Sequence, residues 1–110
     1  MADSSDFENV ASVGEIPDEG TLAVVRSDGK RICLIKSQGR ISAVHDNCTH
    51  QDFEMNLGEV LPDGTIQCAW HGARFDCMTG EVRQGPATEP LPVYEIRIEG
   101  DRVMVGGTKR

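Results

Sequence analysis

Two short stretches decide the reading of this chain: CTHQDFEMN at residues 48–56 and CAWHGARFD at residues 68–76. Each sets one cysteine beside one histidine, as Cys48-x-His50 and, seventeen residues further on, Cys68-x-x-His71. Two thiolates and two imidazoles can hold either one tetrahedral zinc ion or a pair of irons bridged by sulfide. The partition separates these. A structural Cys2His2 zinc site usually keeps its cysteines together and its histidines together, about two to five residues apart. Here each stretch offers one of each. A two-iron cluster with chemically different irons needs that division, because one iron takes both cysteines, the other takes both histidines, and each stretch must serve both.

The sequence around these boxes reads as β-structure. Short apolar runs alternate with turn signals about every ten residues, the pattern of an antiparallel sandwich or barrel. LAVVR and RICLIK flank SDGK, RICLIK and ISAVH flank SQGR, PDG precedes TIQC, and EGD separates YEIRIE from RVMV. Asp-Gly between apolar runs marks a hairpin, because glycine accepts the positive φ of a tight turn. In the run 94–99, Tyr94, Ile96 and Ile98 alternate with Glu95, Arg97 and Glu99, which predicts one buried face and one wet face. Helix is nearly absent; VGEIPDEG predicts one short turn before Pro17. The boxes then fall in two loops, approached by the strands ISAVH and TIQ, and loops on a rigid sheet can meet at their tips.

With 110 residues the chain makes one domain, and it has no run of about 18 apolar residues that would span a membrane. The N-terminus lacks the basic-then-apolar order of a secretory signal. These features point to the cytoplasm, where cysteines bind metals or do chemistry more often than they form structural disulfides. The net charge is −7, and residues 1–20 hold six of the 18 acids and no Lys or Arg, leaving twelve acids against eleven bases elsewhere. Residues 41–73 carry Asp46, Asp52, Glu54, Glu59 and Asp63 and again no Lys or Arg. That excludes the basic face a nucleic acid requires and suggests steering of a basic partner toward the boxes.

The residues around the four ligands resemble the Rieske iron–sulfur signature: CTH, then CAWHGARFD, then MTGEV at 78–82, with GPA at Gly85–Ala87 where that family has a proline-containing loop over its cluster. The resemblance runs from about Glu8 to Val105 and takes the form of the soluble Rieske-type ferredoxins that serve bacterial multicomponent ring-hydroxylating oxygenases. It implies an all-β Rieske fold, an antiparallel sandwich or barrel with a cluster-binding subdomain formed by two loops. A single domain would cover 1–110, with 1–7 a flexible acidic tail and about 45–88 the cluster-binding part. It further implies one [2Fe–2S] cluster, with Cys48 and Cys68 on the buried iron and His50 and His71 on the outer iron through Nδ1. The implied role is a monomeric one-electron carrier, not an enzyme by itself, that takes electrons from a flavin NAD(P)H reductase and passes them to a terminal non-haem iron oxygenase. Two alternatives remain: a Rieske-like small subunit of nitrite reductase or a ferredoxin of another metabolic path, and a non-redox zinc module. A catalytic oxygenase subunit is excluded, since His45 is the sole histidine outside the boxes and a mononuclear iron site commonly takes two histidines and a carboxylate.

Exchanging two thiolates for neutral imidazoles on one iron makes an added electron easier to accept. Rieske potentials accordingly span about −150 to +300 mV, against about −400 mV for plant-type ferredoxins. Respiratory Rieske proteins carry a further cysteine in each box, joined as a disulfide, and a serine and a tyrosine whose hydroxyls donate to cluster or cysteine sulfur. Aligned on the ligands, those positions are Phe53, Trp70, Ala73 and Phe75 here. Each missing donor removes stabilisation of the reduced cluster, so the expected potential lies at the low end. Of the remaining residues, Cys33 reads as a buried core residue, Cys77 as a free thiol near the second loop, and His45 as structural. Phe53 and Trp70 would shield the cluster, Gly72 and Gly80 would enable turns, and Arg74 would pair with Asp76.

Overall fold

The computed structural model describes residues 7–47, 54–69, 72–85 and 89–108. Among these residues ten strands occur in order: β1 Glu8–Ser12, β2 Gly20–Val25, β3 Arg31–Ser37, β4 Arg40–His45, β5 Glu59–Val60, β6 Thr65–Gln67, β7 Arg74–Asp76, β8 Val82–Gln84, β9 Tyr94–Glu99 and β10 Arg102–Thr108. They form three antiparallel sheets, ordered β1-β10-β9, β2-β3-β4 and β5-β6-β7-β8. Two 3-10 turns, Val13–Glu15 and Met55–Leu57, are the helical content among the described residues. The first is the turn expected before Pro17, and its Glu15 carboxylate accepts the Ser12 backbone N–H at 2.8 Å.

Strand β3 organises the molecule. In the run RICLIK the apolar residues do not alternate with polar ones, because both faces of the strand are covered. Ile32 and Leu34, with Ala43 across the β3–β4 ladder, face Ile16, Tyr94, Val103 and Val105. Cys33 and Ile35, with Val44, face Val60, Ile66, Phe75, Leu91 and Val93. The β2-β3-β4 sheet is thus a shared wall between two cores, one built with β9 and β10 and one built with the β5–β8 sheet.

The turns follow their sequence signals. Gly29, Gly64 and Gly100 have φ of +88°, +85° and +63° in the SDGK, PDG and EGD turns. SQG differs in detail, since Gln38 as well as Gly39 is at positive φ; the Gln38 N–H is held by the Glu19 carboxylate at 2.6 Å.

One expectation needs correction. The 94–99 alternation holds only at its start: Tyr94 is buried, but Ile98 is 44% exposed while Val103 opposite it is fully buried, because β9 is the edge strand of its sheet. Phe7, the first described residue, packs against β9 and β10. The Arg97 guanidinium sits 4.4 Å from the centre of the Phe7 ring, and Gly106 leaves room for that ring, since a Cβ there would come within 2.9 Å of it. Residues 1–6 lie outside the described residues. Among those described, no helix is long and apolar enough to cross a membrane.

Candidate metal centre

The chain leaves the β2-β3-β4 sheet at the end of β4 and comes back beside it. The His45 N–H donates to the Pro92 carbonyl at 2.9 Å, and Val44 bridges to Val93. Residues 46–91 are therefore one excursion whose two ends are adjacent, and both Cys/His boxes lie on it.

The first box hangs from a closed neck. The Asp46 N–H donates to the Arg31 carbonyl at 3.2 Å. Its carboxylate, only 2% exposed, accepts the Asn56 backbone N–H at 2.8 Å and the Asn56 Nδ2–H at 2.6 Å. On the far side Met55 is fully buried, and the Asn56 carbonyl accepts the Thr21 hydroxyl at 2.9 Å. Cys48, His50 and Phe53 lie within this loop and outside the described residues.

The second box extends the β6–β7 hairpin. Cys68 follows β6 directly and is 2% exposed. Its N–H donates to the Ala73 carbonyl at 2.7 Å, and the Gly72 N–H donates back to the Cys68 carbonyl at 3.2 Å. Gly72 stands at φ +76°, a conformation an L side chain resists, so the chain reverses there as the sequence requires. The Gln84 side-chain amide donates to the Gly72 carbonyl at 3.2 Å and ties the hairpin to β8. His71 and Trp70 fall between these points and outside the described residues, as do Pro86 and Ala87 of the predicted covering loop.

The two loop bases touch through backbone. A Cβ on Gly58 would stand 2.1 Å from the Gln67 carbonyl oxygen, so only glycine lets β5 and β6 approach this closely. Beside this contact a cleft of 440 Å³ runs from Leu57 and Glu59 to Cys68, Ala69 and Gly72.

Of the five acids predicted to make this region a negative surface, Glu54, Glu59 and Asp63 are exposed, but Asp46 is buried and is a structural acceptor. Asp52 lies outside the described residues. The Asp63 carboxyl is held below the usual range chiefly by the Thr65 hydroxyl, which donates to it at 2.6 Å. Asp76 does not pair with Arg74. Its ion pair is with Arg83 at 3.0 Å, and it also accepts the Met78 and Thr79 N–H groups at 2.8 and 3.0 Å. Burial opposes its charge, yet these donors outweigh burial and hold its carboxyl below the ordinary value. Gly80 has φ +76° and lies against the Leu91 carbonyl, as a turn position should.

Three other side chains, Cys33, Cys77 and His45, match their readings. Cys33 and Cys77 are fully buried reduced thiols. Burial raises both, Cys77 to about 12, so neither is a nucleophile near neutral pH. His45 Nδ1 approaches the Tyr94 hydroxyl at 3.5 Å, a place in the frame and not in the box. The Asp46–Asn56 closure escaped sequence reading. Its one signal is an Asx residue on each side of the loop, a pattern too common to single out.

Cys68 fits an iron–sulfur group. Cys68 places its sulfur in an apolar cluster with the fully buried Ala73 and Phe75. That is a low-dielectric, sheet-anchored position suited to a thiolate on a water-shielded iron.

An all-β frame whose 46–91 excursion carries both cysteine–histidine boxes defines a class, the all-β iron–sulfur proteins. The Rieske [2Fe-2S] domain model matches residues 6–95. The chain belongs to that family, whose cofactor is a single [2Fe–2S] cluster. It is 35% identical over 99 residues to the biphenyl dioxygenase ferredoxin subunit of Pseudomonas sp. (strain KKS102), covering 90% of each chain. It is 38% identical over 91 residues to the ferredoxin component of the naphthalene 1,2-dioxygenase system of Pseudomonas aeruginosa, covering 83% of this chain and 86% of that one. Among solved structures it is similar to a chain in the complex of reduced oxygenase and oxidized ferredoxin of carbazole 1,9a-dioxygenase, with TM-score 0.87, 25% identity and 96% of each chain covered. The Sphingomonas yanoikuyae B1 ferredoxin shares the fold at TM-score 0.84 and 23% identity, over 90% of this chain and 96% of that one.

Proposed function

We propose that this protein is the ferredoxin of an aromatic-ring oxygenase system, a one-electron carrier from a flavin NAD(P)H reductase to a terminal non-haem iron oxygenase in the cytoplasm. Cys48, His50, Cys68 and His71 hold its Rieske cluster. The observation that carries this reading is the pair of cysteine–histidine loops on a fold shared over nearly its whole length with dioxygenase ferredoxin subunits. The related complex of a ferredoxin with its oxygenase supports the oxygenase as acceptor. The chain is a transfer component and not itself a catalyst.

When bound, the cluster supplies a one-electron couple at nearly constant geometry. The residues of this chain set its surroundings. Cys68 is anchored by the two backbone hydrogen bonds of its hairpin, so its sulfur has little freedom to move between redox states. Ala73 and Phe75 are fully buried and exclude water without offering a hydroxyl donor, which keeps the reduced, more negative state comparatively unstabilised. Gly72 and Gln84 fix the hairpin tip that carries His71.

Voltammetry of the purified protein between pH 6 and pH 10 tests the reading. A reversible one-electron wave near the bottom of the range of about −150 to +300 mV is expected, flat through neutral pH. A potential well above zero overturns the oxygenase assignment in favour of a respiratory-like role, and a colourless, zinc-bearing protein without a wave overturns the cluster itself. His71→Cys should keep iron but drive the potential down by adding a thiolate charge; an unchanged potential removes His71 from the ligand set.

A further inference from the structure

We infer that Asp46 is a positioning residue for the cluster, a clasp that closes the first ligand loop; the inference rests on Cys48 and His50 being ligands. Asp46 and Asn56 are ten positions apart, and both ligands of the first box lie between them. Three hydrogen bonds converge on Asp46. Its N–H is held by the Arg31 carbonyl, which fixes it to the end of β3, and its two carboxylate oxygens take the backbone and side-chain donors of Asn56. Asn56 in turn is held from the opposite side by Thr21. The loop is therefore pinned at both feet to the same sheet, and its feet to one another.

A buried carboxylate at this place is costly unless its acceptor capacity is used, and an acid needed only for solubility would face water. A loop whose ends are free has many conformations that separate Cys48 from Cys68. Closing the neck removes most of them before metal arrives. Partners that orient metal ligands typically govern metal affinity by 10- to 100-fold when removed.

The chemistry of the pair supplies its own test. In Asp46→Asn one oxygen still accepts the Asn56 N–H, but the charge-assisted bond from Asn56 Nδ2–H is lost, and the Asn56 amide must turn over, giving up its Glu54-side contact, to make even a neutral amide–amide bond. Adding Asn56→Asp restores the side-chain bond with its polarity reversed. Because Asn56 Nδ2 also lies 3.2 Å from the Glu54 carboxylate, all variants are made in a Glu54→Gln background, which spares the exchanged pair a like-charge contact. Iron and acid-labile sulfide per chain, the rate of bleaching by a chelator, and the electron paramagnetic resonance g values are measured on each.

Asp46→Asn is expected to bleach on the order of 10-fold or more faster and to shift the g values, and the exchanged pair is expected to regain the slow rate and the original spectrum. Asn56→Ala, which keeps the backbone bond, should fall between and serves where Asp46→Asn fails to fold. Bleaching at the parent rate in Asp46→Asn, or no recovery in the exchanged pair, overturns the clasp. Cys48→Ala separates this from the larger reading. A cluster-free Cys48→Ala protein beside an unaffected Asp46→Asn protein refutes the clasp alone, whereas a full cluster in Cys48→Ala refutes the ligand assignment, and the clasp with it.

Discussion

Gly58 offers the sharpest test of how the two ligand loops are held together. A methyl group at this position would lie 2.1 Å from the Gln67 carbonyl oxygen and 3.1 Å from its carbonyl carbon. Carbon and oxygen ordinarily approach no nearer than about 3.3 Å, so Gly58→Ala must push the segments apart by roughly 1 Å. Both contacts are backbone, so no rotamer change relieves them. Overpacking of this kind costs about 1–3 kcal/mol. The β5–β6 ladder has only two residue pairs, Glu59 with Gln67 and Val60 with Ile66, and a loosened ladder bond adds about 1 kcal/mol. The sum, about 2–4 kcal/mol, is a large part of a typical stability of about 5–15 kcal/mol. At roughly 4–6 °C per kcal/mol it lowers the melting temperature by about 10–20 °C.

Thermal melts followed by circular dichroism and by visible absorbance would read this directly, at one fixed scan rate because cluster loss makes unfolding irreversible. Gly14→Ala is the control: a Cβ there meets nothing within 4 Å, and its melt should stay within about 2 °C of the parent. A Gly58→Ala protein that melts within 3 °C or so of the parent would refute the backbone contact as the joint between the loops.

Other outcomes follow from the same geometry. Cys33 and Cys77 should resist alkylation at pH 8 in the folded protein and react at once after denaturation, since burial raises both thiols; rapid labelling of the native state would contradict their placement. Asp76 titrates below its ordinary value, so its contribution is fully present above about pH 4 and is lost as pH falls through the lower folded value. Asp76→Asn should therefore flatten the acid limb of the stability profile, and an unaltered limb would mean that the Arg83 pair and the turn N–H bonds contribute nothing. Glu54 and Glu59 are exposed beside the metal centre, so electron transfer to a basic acceptor should slow as salt rises, and Glu59→Gln should weaken that dependence. A flat salt response would remove the steering role.

Much of this was readable before any coordinates. The hairpins were legible because glycine at positive φ is a local requirement, met within four residues. The cysteine–histidine boxes stand out in the sequence because ligand chemistry restricts residue types severely. Other features depend on what surrounds a residue. Asp46 carries the same formal charge as Glu54, and only its pairing with Asn56, ten positions on, makes one a buried acceptor and leaves the other in water. Asp76 prefers Arg83 to the nearer-sequence Arg74 because adjacent strands bring β7 and β8 side by side. Ile98 keeps its place in the alternation, yet it lies on an edge strand whose outer side has no neighbouring strand among the described residues, while Val103 opposite it is buried. RICLIK shows the converse, where the absence of alternation was itself the signal of a strand with no wet face.

The adjacency of His45 and Pro92 has a consequence for assembly. Strands β1 to β4, β9 and β10 can close their own core around Ile32, Leu34, Val103 and Val105 without any residue of the 46–91 excursion. The metal-bearing part is then a cartridge seated in a frame that stands before it is loaded. Hydrogen exchange on the metal-free protein should find β3 and β10 more strongly protected than β5 to β8. Iron and sulfide would be delivered to an excursion whose feet are already clasped, with the frame unchanged throughout.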